Sequence, residues 1–450
     1  MSLAPRQSVE LAIEKPAAGG RMIARHEGQV VLVRGAIPGE RVRAVVERAE
    51  TRLAYAVVDE VLDASVDRRV AAADPLCGGA LYSHIAYERQ LSIKADVIRD
   101  AFARVGRYAI QDAIDVAGSP ETGYRMRARF HVHGGRVGFY REGTHQLCDA
   151  AATNQMAAGA VSAATAIAAF MEQVSSGGVT SIALAENLEA TERAAHLELA
   201  ARARVDAAAL DRVVRDTDVM GVTAREFESG RLLYAGDALV SDPVRAFVGD
   251  RAAGGVLRRH PESFFQGNRY LLSALVEAVA AVVPTDGEVL DLYAGVGLFS
   301  VALAARGHLE VTAVEGDRAS GEDLRGNARP FAPGVRVHVE PVEDVLARRR
   351  STPAAVIVDP PRTGLSKGAR QLLLRLGAPR VIYVSCDPPT LARDARALLD
   401  AGYRLDSLRA FDLFPTTPHV ETLAVFTAPG LRAGGVAFGA ADGGFDEAPE

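Results

Sequence analysis

From Phe264 onward, short apolar segments alternate with amphipathic ones, and this rhythm constrains the fold more than any other feature of the chain. A helix over Tyr270 to Val283 leads into strand segments at Glu288–Leu292, Glu310–Val314, Val335–Val339, Ala355–Val358 and Val381–Val384, with helices between them. Strand–helix repetition of this kind predicts a doubly wound parallel sheet. The expected C-terminal domain is therefore Rossmann-like and spans residues 256–430. In such sheets ligands bind in the crevice beyond the carboxyl ends of the strands, so the segments just after each strand are the ones to read for chemistry.

The first such segment is Asp291-Leu292-Tyr293-Ala294-Gly295-Val296-Gly297-Leu298-Phe299-Ser300. Its glycines allow a tight turn and a close approach of backbone to ligand. A dinucleotide fingerprint calls for a third small residue in G-x-G-x-x-G, and Ser300 stands there, so that match is weak. The Asp-x-x-x-Gly-x-Gly form instead resembles the S-adenosylmethionine loop of class I methyltransferases. Glu315, at the end of the next strand, is suitably spaced for a ribose-binding acid. Asp359-Pro360-Pro361-Arg362 follows the fourth strand as a rigid loop. Amine-methylating enzymes often place an aromatic residue after the two prolines to stack the base. Arg362 at that position argues for methylation of carbon.

The residues before Phe264 read differently. Val30–Val33, Arg41–Val46 and Leu53–Val58 are short strands separated by glycine, proline and polar residues, and over residues 1–65 they suggest a small closed barrel. A helix is expected over 85–105 and an alanine-rich one over 153–175. Between them, residues 124–141 alternate with period two about Gly134-Gly135, a hairpin signal. Arg125, Arg127, Arg129, His131 and His133 share one face of it, a candidate phosphate-contacting surface or a solvated sheet face. A central α+β domain is assigned to 75–255. The tail, 431–450, is rich in Gly, Ala and acids and is expected to be disordered.

The chain has 450 residues, 51 Lys and Arg against 57 Asp and Glu, and a formal charge of −6. That balance neither announces nor excludes a nucleic-acid partner, because a local patch matters more than the sum. No stretch is long and apolar enough to span a membrane, and the first fourteen residues do not form a signal peptide. Only Cys77, Cys148 and Cys386 occur. They are too few and too scattered for a disulfide framework, and no C-x-x-C pair offers a metal site, so a cytoplasmic protein is expected. Monomer is the default state.

Cys386 lies just past the last apolar strand, in Tyr383-Val384-Ser385-Cys386-Asp387-Pro388. An isolated cysteine is commonly a small buried hydrophobe. Beside a methyl-donor loop it becomes a candidate nucleophile, which needs a polar site to act as thiolate. Together with Phe264-Phe265-Gln266-Gly267-Asn268, the donor loop, Asp359-Pro360-Pro361-Arg362-Thr363-Gly364 and His419-Val420-Glu421-Thr422, this run makes the chain resemble the RNA uracil-C5 methyltransferases that act on ribosomal and transfer RNA. The resemblance covers all but the tail.

The resemblance implies an N-terminal TRAM domain (an OB-like RNA-binding barrel), a central RNA-binding domain, S-adenosylmethionine as cofactor and RNA as partner. It assigns Cys386 as nucleophile and Glu421 as general base. Gln266, Tyr293, Gly295, Gly297, Glu315 and Asp359 become donor-site residues. Many ribosomal-RNA members carry a four-cysteine iron–sulfur site. Here only Cys77 and Cys148 stand near the expected positions, so no cluster is predicted. Many members also have Asn after the nucleophile. Asp387 stands here, and a neighbouring carboxylate is expected to raise the thiol pKa. Two other readings stay open. One is a cytosine-C5 RNA methyltransferase, although Asp359-Pro360-Pro361 lacks the second cysteine those enzymes use. The other is an RNA-binding or assembly factor with secondary catalysis.

Overall fold

The computed structural model describes residues 3–174, 178–249 and 254–430; the predicted tail lies outside them. Five strands close the N-terminal barrel: β1 (Ser8–Pro16), β2 (Met22–His26), β3 (Gln29–Arg34), β4 (Arg41–Ala49) and β5 (Leu53–Asp63), in the order β1-β2-β3-β5-β4. β1 and β2 are additions to the sequence reading. Val9, Leu11 and Ile13 alternate inward along β1 and join Val31, Val33, Val42 and Ala54 in the barrel core.

Helix α1 (Tyr87–Arg104) and the two-residue strand β6 (Val116–Ala117) follow. Although they precede the central sheet in the chain, both pack into the C-terminal core. Ile98, Phe102 and Val116 share a cluster with Leu391, Leu398 and Phe426.

The central sheet has seven strands: β7 (Arg127–His133), β8 (Arg136–Tyr140), β9 (Leu147–Asp149), β10 (Val179–Glu186), β11 (Arg193–Leu199), β12 (Gly221–Arg225) and β13 (Leu232–Gly236), in the order β13-β12-β11-β10-β7-β8-β9. Gly134 and Gly135 turn β7 into β8 with φ of 55° and 68°, the left-handed pair a tight hairpin needs. Helices α2 (Ala158–Val174) and α3 (Ala207–Asp216) cover one face. Cys77 and Cys148 are joined by a disulfide, with Cα atoms 5.8 Å apart. This corrects the expectation from sequence. Their separation of 71 residues in sequence carries no local signal of contact, and the β8–β9 hairpin brings Cys148 back to the loop holding Cys77.

A small hairpin of β14 (Val240–Pro243) and β15 (Val256–Arg259), with α4 (Arg245–Val248) between its strands, leads into the C-terminal domain. There α5 (Leu272–Val282), β16 (Val289–Leu292), α6 (Leu298–Ala305), β17 (Val311–Glu315), α7 (Arg318–Ala328), β18 (Val335–Val339), α8 (Val342–Arg348), β19 (Ala355–Val358), α9 (Lys367–Leu376), β20 (Arg380–Ser385) and α10 (Pro388–Asp400) alternate as predicted. Two further strands, β21 (Arg404–Phe411) and β22 (Glu421–Thr427), complete a sheet ordered β18-β17-β16-β19-β20-β22-β21-β6. The five strands from β18 to β20 are parallel, whereas β22 is antiparallel to both neighbours. The sheet is thus doubly wound with one reversed strand. Among the described residues no helix is long and apolar enough to cross a membrane.

Candidate active site

Strand register gathers the predicted residues at one edge of this sheet. Leu292 pairs with Val358, and Val358 with Tyr383. The chain leaving β16, β19 and β20 therefore delivers Tyr293, Asp359 and Cys386 to the same edge. β17 ends in Glu315. β22 begins with Glu421, and Thr422 lies opposite Ser385, so one more step of the same antiparallel register sets Glu421 beside Cys386. The reversed strand is what brings an acid to the thiol.

These side chains border a cavity of about 740 Å³, lined by Gln266, Tyr293, Gly295, Glu315, Asp359, Cys386 and Glu421, with Arg125, Arg127 and Arg362 also in its wall. Gly297 does not line it. It caps α6 at φ 93°, where a Cβ would lie 2.7 Å from Leu324 Cδ1. It shapes the loop from behind, while Gly295 (φ 57°) presents backbone to the cavity. Tyr293 also holds a positive φ of 61°, a conformation that costs a non-glycine residue free energy and is often found at ligand sites.

The loop is pinned by its acids. Glu315 accepts the Gly295 N–H at 2.7 Å and the Asp317 N–H at 2.6 Å. Asp291 is fully buried and accepts the Ser300 hydroxyl at 2.5 Å, and its second oxygen has no partner among the described residues. The residue that spoiled the dinucleotide fingerprint thus secures the first strand of the site. Burial pushes the Asp291 carboxyl up to about 7 against the Ser300 bonds. In the unfolded chain the group ionises near 4. Between these values the native state holds the extra proton, so stability declines as pH rises from about 4 to about 7, and the cost is complete above 7. Asp291→Asn keeps an acceptor for Ser300 and removes that cost. It is expected to melt higher than the parent at pH 8, with the difference shrinking toward pH 5; melting curves across that range check this.

Burial and neighbouring acids both act against ionisation of the Cys386–Glu421 pair. Gln266 donates to Asp359 Oδ2 at 3.0 Å. Burial nonetheless pushes Asp359 up to about 7, with Asp291 and Glu315 adding to it. Burial, with Asp359, raises Glu421 well above the usual carboxylate range, and Arg362 opposes this. One Glu421 oxygen has no hydrogen-bond partner among the described residues. The Cys386 thiol is pushed up to about 12, first by burial and then by Glu421 and Asp359, while Arg362 pulls it down. Asp387 does not act as its position suggested. Its carboxylate accepts the Thr390 N–H at 2.9 Å and caps α10, which directs it to the helix terminus. Arg362 carries the opposite influence, one that sequence reading had used only to exclude amine substrates.

The basic strand face divides. Arg125 bonds Gln155 Oε1 at 2.8 Å, and Arg127 bonds the carbonyls of Pro261 and Glu262; both line the cavity. Arg129 and His133 are exposed. Alternation assigned these residues to one face correctly, but it carries no information on depth.

A strand-end crevice with a glycine loop, a ribose-spaced acid and a paired thiol and carboxyl defines a class I methyltransferase site of the carbon-methylating kind. Family models agree: tRNA (Uracil-5-)-methyltransferase matches residues 346–428, and TRAM domain matches residues 4–58. A 23S rRNA (uracil(1939)-C(5))-methyltransferase of Halomonas elongata is 34% identical over 93% of this chain and 89% of its own. An uncharacterized RNA methyltransferase of Streptomyces avermitilis is 35% identical over 93% and 98%. The crystal structure of the Pyrococcus abyssi tRNA (uracil-54, C5)-methyltransferase, in complex with S-adenosyl-L-homocysteine, superposes with a TM-score of 0.72 at 24% identity, over 93% of this chain and 99% of that one. The chain belongs to the RNA uracil-C5 methyltransferase family.

The residues do not fit the iron–sulfur cluster of many ribosomal-RNA members. Cys77 and Cys148 are bonded to each other, their neighbours Ala73, Ala80 and Phe139 carry no thiol, and the chain's remaining cysteine is Cys386.

Proposed function

We propose that the protein methylates carbon 5 of a uridine in RNA, using S-adenosylmethionine, through a transient bond between Cys386 and carbon 6. The observation that carries this is the presence of Cys386 and Glu421, one residue beyond the Ser385–Thr422 pair of β20 and β22, in the wall of one donor-sized cavity. Carbon 5 of uracil is a poor nucleophile. Addition of the Cys386 thiolate to carbon 6 pushes electrons through the ring to carbon 5, which can then take a methyl group. Glu421 next removes the proton left on carbon 5, electrons return to the ring, and the carbon–sulfur bond breaks to restore the thiolate. S-adenosylmethionine supplies an electrophilic methyl on a positively charged sulfur, and that charge would favour ionised Cys386 and Glu421, which burial disfavours. Gln266, Tyr293, Gly295, Glu315 and Asp359 would hold the donor, with Gly297 setting the loop.

The target base must leave its stack to reach Cys386, so an unpaired or remodelled RNA segment is the expected substrate. Relatives named for 23S rRNA make ribosomal RNA the first substrate to try, with transfer RNA second. We further propose a monomer working in the cytoplasm. The test is methyl transfer into each RNA isolated without the modification, followed by nucleoside analysis. The expected product is 5-methyluridine; 5-methylcytidine would favour the cytosine reading instead.

A further inference from the structure

Outside the cavity, the β7–β8 hairpin carries a cluster of rings that the catalytic account does not use. His131 stacks on Tyr140 with centroids 3.7 Å apart and planes 12° from parallel. His145 meets Tyr140 edge-on at 5.3 Å, and His133 approaches it at 6.0 Å. His131 and Tyr140 are half-buried, whereas His133 and His145 are exposed. Exposed Arg129 and Arg136 flank them, and neither forms an ion pair among the described residues. Two of the nearby acids are engaged elsewhere: Asp74 holds Arg141 at 2.5 Å, and Glu142 holds Arg34 of the barrel at 2.9 Å; Glu172 packs behind the turn at Gly135. Burial and Arg129 hold the His131 imidazole below its ordinary pKa, so at neutral pH it presents a neutral, stackable ring.

This cluster is continuous with the site. Arg127, in the cavity wall, lies on the same strand and the same face as His131, four residues or about 13 Å away. We propose that the His131–Tyr140 ledge is a subsite for an unpaired base of the substrate RNA, on the strand that leads from the flipped uridine, with Arg129 and Arg136 taking its phosphates. Aromatic rings beside unpaired guanidinium groups are what a single strand requires, stacking for its bases and charge for its backbone. The proposal rests on RNA being the substrate, as argued above, and identifies where that RNA runs.

Binding of the full chain to a single-stranded RNA oligonucleotide, followed by fluorescence anisotropy, tests it. Tyr140→Leu is expected to weaken binding about tenfold, and Tyr140→Phe to bind as the parent does. At saturating RNA, kcat is expected to hold while KM rises, because nothing touching Cys386 has changed. Arg129→Gln with Arg136→Gln, both at exposed positions that cannot threaten folding, is expected to reduce the slope of log affinity against log salt by about 1.4. Parent-like binding by Tyr140→Leu, an equal loss on fully paired duplex, or an unchanged salt slope in the arginine variant would each overturn the ledge. None of these outcomes bears on the reaction itself, which fails only if the parent protein makes no 5-methyluridine.

Discussion

Cys386→Ala is expected to abolish methyl transfer, with a loss of at least about 10⁴-fold, because in the proposed mechanism the bond to carbon 6 is what makes carbon 5 nucleophilic. The alanine is smaller and apolar in a half-buried position, so the fold should persist. Donor binding should persist too, since the loop residues Gly295 and Glu315 hold each other without the thiol. The measurement is single-turnover methylation alongside denaturing gel analysis for protein–RNA adducts. Loss of turnover with retained donor binding and no adduct fits the assigned role. Turnover within tenfold of the parent would remove Cys386 from the mechanism and revive an RNA-binding role with secondary catalysis.

Glu421→Gln separates the two halves of the reaction. Glutamine has nearly the shape of glutamate, so it fits the buried Glu421 position with little change in packing. It cannot take a proton. Turnover is expected to fall by at least about 10²-fold, and a methylated adduct between Cys386 and the RNA should accumulate toward one per enzyme, because carbon 5 keeps its hydrogen and the thiolate cannot leave. Mass spectrometry of the trapped species decides the point. A variant that loses turnover without any adduct would place Glu421 before the methylation step.

Much of this site was legible from sequence because its residues stand at strand ends, and strand ends are marked by where apolar runs stop. β18 and β19 coincide with their apolar runs, and β20 differs from its run by one residue at each end. The cap at Asp387 also has a local signature, since Asp followed by Pro at the first helical position is a helix start. β1 was obscured by Glu10 and Glu14, although polar residues at alternate positions are what a barrel strand exposes. Long-range features left no local trace. Val116 pairs with Ala410 at the far edge of the catalytic sheet, and Cys77 meets Cys148 across a hairpin; neither contact has a periodicity to detect. The depth of Arg125 and Arg127 was hidden for a related reason. It is set by Gln155 and by the carbonyls of Pro261 and Glu262, on segments distant in sequence.

The central claim is that carbon 5 loses its hydrogen to Glu421 while Cys386 holds carbon 6. The most direct measurement uses substrate RNA whose uridines carry tritium at carbon 5, with label release to water and methyl incorporation followed together. One tritium released for each methyl gained is the predicted result, with neither event in Cys386→Ala. Methyl gained without tritium release would place the new bond on nitrogen, on ribose or on another base, and would contradict the account.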